Sequence, residues 1–132
     1  MTTSSDASVW AGVSAAISAY AHALDAGRND KIAELFTPDG TAEIAGVGTF
    51  QGRDAIREGY AAFAPSQPQL HLVANTVITT SDADTATAVS NLAFIARGET
   101  GWAPQMVGRY DDELQRDGGT WRFSKRVTTF EP

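Results

Sequence analysis

Two polar residues of this chain sit where a purely structural reading does not want them and where acid–base chemistry could use them, Asp25 and His71. Asp25 closes an apolar segment, Val9 to Asp25, in which Val9, Val13, Ala16, Ile17, Tyr20 and Leu24 recur at helical spacing. Gly27 follows as the expected C-cap, which places Asp25 in the last turn. A carboxylate there faces the negative end of the helix dipole and needs compensation, which a protonatable imidazole would supply. His71, one of two histidines, lies in the strand-like run Leu70-His71-Leu72-Val73-Ala74-Asn75-Thr76-Val77-Ile78. A buried Asp–His pair is a general-base device. Taken singly, each residue also has a plain structural reading: Asp25 as a solvated helix-end acid, His71 as a satisfied core or surface histidine.

Other side chains are candidates for the same site. Tyr20 sits in the apolar stripe, either as a core tyrosine or with its hydroxyl at a pocket. The strand face of His71 is expected to carry Val73, Asn75 and Val77, a mix of apolar and polar that suits a pocket wall. Asn91 shares a face with Val89, Ala93 and Ile95, where an amide must be paired or point into a polar cavity. Arg126 follows Trp121 and Phe123 in the opposite strand phase, so only a β-bulge would turn all three inward. Without a bulge, Arg126 is solvated. Phe36, Phe50 and Phe94 are expected pocket walls, and Trp102, in a loop over Gly98–Ala103, an expected cover for the pocket mouth.

Competing chemistries find little support. Gly46-Val47-Gly48-Thr49-Phe50-Gln51-Gly52 lacks the spacing and the βαβ context of a dinucleotide loop and reads as a turn. His22, Asp25 and His71 form no spaced metal-ligand cluster, and no nucleophile elbow supports a serine triad, so neither metal nor cofactor is expected. With no cysteine there is no thiol nucleophile and no disulfide, which fits a reducing, cytoplasmic setting. A net charge of −6 without any Lys/Arg run argues against nucleic acid or an anionic membrane as partner. Residues 1–8 lack the pattern of a signal peptide and are expected to be a flexible tail, and no apolar run is long enough to span a bilayer.

The elements that must position these residues follow from pattern and turn chemistry. The length of 132 residues suits one domain, over residues 9–130. Ser5 or Asp6 can cap the first helix. A second short helix is expected from Asn29 or Asp30, with Ile32, Leu35 and Phe36 as its apolar face and Thr37-Pro38-Asp39-Gly40 as its stop. Two short strands at Thr41–Ile44 and Thr49–Phe50 precede a third helix with Ile56, Tyr60 and Phe63 on one face. Long strands are expected at about Leu70–Thr79, Thr85–Arg97, Pro104–Arg116 and Thr120–Thr128, with turns at Asp82-Ala83-Asp84 and Asp117-Gly118-Gly119. Helices first and strands last predict an α+β domain with helices on one face of a curved antiparallel sheet.

Several stretches resemble a known group. Ala19-Tyr20-Ala21-His22-Ala23-Leu24-Asp25, Leu35-Phe36-Thr37-Pro38-Asp39-Gly40, Gly48-Thr49-Phe50-Gln51-Gly52-Arg53-Asp54-Ala55-Ile56 and Leu70-His71-Leu72-Val73-Ala74-Asn75 are similar to the SnoaL-like branch of the nuclear-transport-factor-2-like superfamily. Gly108-Arg109-Tyr110-Asp111-Asp112-Glu113 and Gly119-Thr120-Trp121-Arg122-Phe123-Ser124-Lys125-Arg126 continue the likeness, which spans about Val9 to Phe130. The resemblance implies a cone of curved sheet closed by helices around a deep apolar pocket, and a homo-oligomer, dimer or trimer. Scytalone dehydratase, hexachlorocyclohexane dehydrochlorinase and bile acid 7α-dehydratase share an Asp–His pair at the places of Asp25 and His71. Tyr20 and Arg126 resemble a tyrosine and an arginine of the bile acid enzyme, and Arg126 also one of the dehydrochlorinase. The implied activity is a cofactor-independent elimination on a small hydrophobic cyclic or polycyclic molecule. An isomerase or polyketide-type cyclase, and a non-catalytic small-molecule-binding domain, are the alternatives.

Overall fold

The computed structural model describes residues 3–131. Helix α1 (Thr3–Asp25) takes in most of the segment expected as a tail and starts before the suggested caps; Met1 and Thr2 lie outside the described residues. Its apolar stripe is buried as the spacing requires, from Val9 to Leu24. Gly27, at φ 69°, ends it: Arg28 N donates to Ala23 O and Gly27 N to Leu24 O, at 2.9 and 3.2 Å. This Schellman arrangement needs the left-handed conformation that glycine adopts freely. Helix α2 (Asn29–Glu34) is shorter than expected, because Phe36 belongs to the next strand.

Strands β1 (Phe36–Ile44) and β2 (Gly48–Gln51) form a hairpin, and α3 (Arg53–Tyr60) runs on into a 3₁₀ turn at Ala61–Phe63. Four long strands follow: β3 (Gln69–Ser81), β4 (Thr85–Gly98), β5 (Gly101–Asp117) and β6 (Thr120–Glu131). Among the described residues the sheet has the order β2-β1-β6-β5-β4-β3. Every pairing is antiparallel except β1 with β6, which is parallel. The Thr37–Gly40 segment is not a helix stop but an irregularity within β1: Phe36 pairs with Phe123 and Thr41 with Lys125, so four residues stand against Ser124. The sheet is curved and open, with the three helices at one side. No described helix is long and apolar enough to cross a membrane.

A bulge in β6 decides what the core contains. Glu113 pairs with Lys125 and Leu114 with Phe123, leaving Ser124 as the extra residue, its hydroxyl donating to Glu113 O at 3.0 Å. The phase shift turns Trp121, Phe123 and Arg126 all inward. Arg126 has no exposed surface, and its register partner Asp112 is only 3% exposed. Arg126 Nε donates to Asp112 Oδ1 at 2.8 Å and Nη2 to Oδ2 at 3.1 Å, a two-pronged ion pair. The guanidinium carbon lies 3.5 Å from the Tyr110 ring centroid, 4.3 Å from that of Tyr20 and 4.5 Å from that of Phe123. These negative ring faces stabilise the cation further. Burial pushes the Asp112 carboxyl up despite the pull of Arg126. Burial also works against the Arg126 charge, but Asp112 and the tyrosines outweigh it and raise that group. The two-pronged contact holds the pair in its charged form. Tyr20 packs edge-on against Phe36, Tyr60, Tyr110 and Phe123 over this pair.

Removing one partner strands a charge in a dry site, so Asp112→Ala is expected to cost about 3–5 kcal/mol of stability. Urea unfolding measures it, and a loss below about 1 kcal/mol, the value of an exposed pair, would show the charge to be otherwise compensated. A second expectation concerns alkali. Burial pushes Tyr60 up to about 12 and raises Tyr20 and Tyr110 as well. The folded tyrosines keep protons that unfolded tyrosines release near pH ~10. Their stabilisation is therefore whole below about pH 10 and lost as the pH climbs through the folded values. Denaturation at successive pH values should show this decline, and Tyr60→Phe should flatten it by about 1.4 kcal/mol per pH unit. Equal slopes in the two proteins would refute the assignment.

Candidate functional site

Asp25 is the last residue of α1, and β3 begins directly opposite it. The dipole penalty at a helix C-terminus is met by three donors from that strand. The His71 backbone N–H donates to Asp25 Oδ2 at 2.8 Å, the His71 Nδ1–H to Oδ1 at 2.6 Å, and Gln69 Nε2 to the same Oδ1 at 3.2 Å. A carboxylate only accepts, so the ring nitrogen facing it donates as Nδ1–H, which in a neutral imidazole leaves the lone pair on Nε2. The His71 and Asp25 side chains are 14% and 15% exposed, shielded but reachable. The His71 ring stacks on Phe94, with centroids 4.7 Å apart and planes 28° apart.

A second bulge sets the direction of this wall. Ala74 pairs with Asn91 and Val77 with Val89, so Asn75 and Thr76 together face Ser90. Asn75 lies at φ 57°, a left-handed conformation that asparagine tolerates better than most residues. Thr76 Oγ1 and Ser90 Oγ are hydrogen-bonded at 2.8 Å across the bulge. His71 and Val73 point inward before it, Thr76 and Ile78 after it. Asn75 and Val77, expected on the face of His71, are thus turned out, and Val77 is 55% exposed.

His71 opens on a cavity whose space, together with its open mouth, is about 600 Å³. Its walls are apolar and aromatic, with Leu24, Phe63, Leu92, Phe94 and Phe130 prominent. Of its lining residues, His71 alone can become a cation. Tyr20 and Tyr60 also line it, and their hydroxyls are hydrogen-bonded to each other at 2.5 Å.

Of the residues named from sequence, the cavity brings together Tyr20, His71 and Phe94, with Asp25 behind His71. Arg126 is inward but beneath the cavity, covered by the Tyr20 and Tyr110 rings, and is not part of its wall. Phe36 is corrected to a core position, fully buried against Tyr20 and Phe123. Phe50 is corrected too: it packs on Tyr60 and over Gly59, outside the lining. Asn91 lies on the outer face, because Ala86, Ala88, Ser90, Leu92 and Ala96 take the inner positions of β4. Trp102 covers nothing: Gly98 pairs with Gly101, so the connection is a tight turn at Glu99-Thr100, and Trp102 sits in β5 at 48% exposure.

Sequence reasoning missed Gln69, Tyr60, Tyr110 and Asp112. Tyr110, Asp112 and Leu114 alternate on the buried face of β5, and an acid at such a position signals a buried cation on the neighbouring strand. Gln69 offered no signal beyond lying two residues before His71, on the same strand face.

No functionally curated protein matches the chain in sequence. Solved structures match it over nearly its whole length. A variant of Rv3472, a protein of unknown function from Mycobacterium tuberculosis, is 27% identical, with a TM-score of 0.82 over 90% of this chain and 69% of its own. A candidate scytalone dehydratase from Novosphingobium aromaticivorans is 21% identical, with a TM-score of 0.87 over 99% of this chain and 89% of its own. LinA is 20% identical, with a TM-score of 0.84 over 100% of this chain and 92% of its own. At such identities the last two are likenesses of fold. The family model of the SnoaL-like domain matches residues 8–127, and with it the chain belongs to the SnoaL-like family of nuclear-transport-factor-2-like proteins.

Proposed function

We propose that this protein is a cofactor-independent lyase of dehydratase type, acting on a small hydrophobic cyclic or polycyclic molecule. The observation that carries the reading is the 2.6 Å contact between His71 Nδ1 and Asp25 Oδ1 at the wall of an apolar cavity. His71 Nε2 takes a proton from a carbon acidified by a neighbouring electron-withdrawing group. The electron pair of that C–H bond forms the new double bond, and the leaving group departs with the pair of its own bond. Asp25 holds the imidazole in the required tautomer and stabilises the imidazolium. In the Tyr20–Tyr60 pair one hydroxyl proton is shared, and the other is free to donate to the leaving group or an enolate oxygen. Arg126 acts through the ring faces of Tyr20 and Tyr110, as a positioning residue. The same base would serve an isomerase by returning the proton to another carbon, so product identity separates the two reactions. A homo-oligomer, dimer or trimer, is part of the proposal, supported by exposed Leu72, Val77, Trp102 and Val107.

Asp25→Asn and His71→Ala are each expected to lower turnover about 10²–10⁴-fold while the protein stays folded. Steady-state rates on a panel of cyclic hydroxy ketones and halides, read beside thermal melts, check this. Full activity in both variants would remove the dyad from the mechanism.

A further inference from the structure

The dyad has a third member. Gln69 lines the same cavity, and its carboxamide can approach a carboxylate only with its Nε2 end, as the 3.2 Å contact to Asp25 Oδ1 records. That orientation leaves Oε1 pointing away from Asp25. No group among the described residues donates to Oε1, and it is not sealed from the cavity and solvent. Asp25 Oδ1 meanwhile takes both the His71 ring proton and the Gln69 proton, while Oδ2 takes the His71 backbone N–H. Gln69 thus fixes the rotation of the carboxylate against which the imidazole is aligned, and presents an unspent acceptor beside the base.

We propose that Gln69 both positions the Asp25–His71 pair through Nε2 and selects, through Oε1, a neutral ring compound bearing a hydroxyl group. Neutrality follows from the wall: its only potential cation is His71, and Arg126 is covered by aromatic rings and paired with Asp112. An anionic substrate would find no fixed counter-charge there. A hydroxyl placed at Oε1 finds a hydrogen bond that an apolar substituent does not use, which favours the hydroxylated member of a matched pair. The catalytic meaning of this residue rests on the elimination reading, but its geometry does not.

The test therefore uses no turnover. The proton NMR signal of the His71 Nδ1–H, assigned by its loss in His71→Ala, reports the hydrogen bond to Asp25. Gln69→Met and Gln69→Glu both remove the Nε2 donor, and both are expected to move that signal. Affinities for 2-naphthol and 2-methylnaphthalene, by calorimetry, report the acceptor. Their ratio should fall about tenfold in Gln69→Met, which has no acceptor, and persist in Gln69→Glu, which keeps one. An unmoved Nδ1–H signal in both variants overturns the positioning role, and an unmoved ratio in Gln69→Met overturns the selecting role. Either result can arise in an active or an inactive protein, so it is distinct from failure of the lyase assignment.

Discussion

The architecture turns on a single buried cation. Arg126 has no exposed surface, and a lone guanidinium in an apolar interior would cost several kcal/mol, on the order of the whole stability of a small domain. Asp112 answers it with two hydrogen bonds, and three aromatic faces enclose what remains. Each of those rings has a second duty. Tyr20 and Tyr110 form the floor of the cavity, and Phe123 ties β6 to Phe36 on β1, where the strands run parallel. The ion pair thus specifies where the strands lie as much as it strengthens them. Swapping the pair for apolar residues of like volume would preserve stability more readily than that arrangement.

The site is built on a joint between two elements far apart in sequence. A carboxylate at the C-terminal end of a helix is unfavourable in isolation. Here it survives because the edge strand β3 delivers a backbone N–H, a ring N–H and a carboxamide N–H to its two oxygens. The bonds that orient the His71 ring are also those that dock the start of β3 on α1. The geometry of the candidate site and the tertiary structure are accordingly the same contacts, and the helix end supplies rigidity that a loop would not.

Much of this was legible beforehand, and the failures have physical causes. The periodic helix and its glycine cap follow from spacing, dipole reasoning asks only for some compensating group at Asp25, the family resemblance points to His71, and the four long strands lie within a few residues of their expected bounds. From sequence the inward turn of Arg126 depends on a bulge, and Ser124 supplies it. Period-two patterning cannot say which face of a strand is the inner one when both are apolar, which is how Asn91 was misplaced. Pro38 and Gly40 read locally as a turn that leaves Phe36 on a helix, whereas tertiary pairing draws all three into an irregular strand. Gln69 and Tyr60 act through partners 44 and 40 residues away, which no local pattern encodes.

Asn75 has a wider meaning. One residue held in a left-handed twist shifts the parity of everything after it, so that β3 contributes His71 to the inside at one end and Val77 to the outside at the other. On such a scaffold, gaining or losing a single residue at a bulge re-aims half a strand at once, without any change of side chain. Length variation at such a bulge is therefore a coarse dial on what the interior offers a ligand. Point substitution is the fine one, and the shared shape at about one-fifth identity leaves room for both to have been turned.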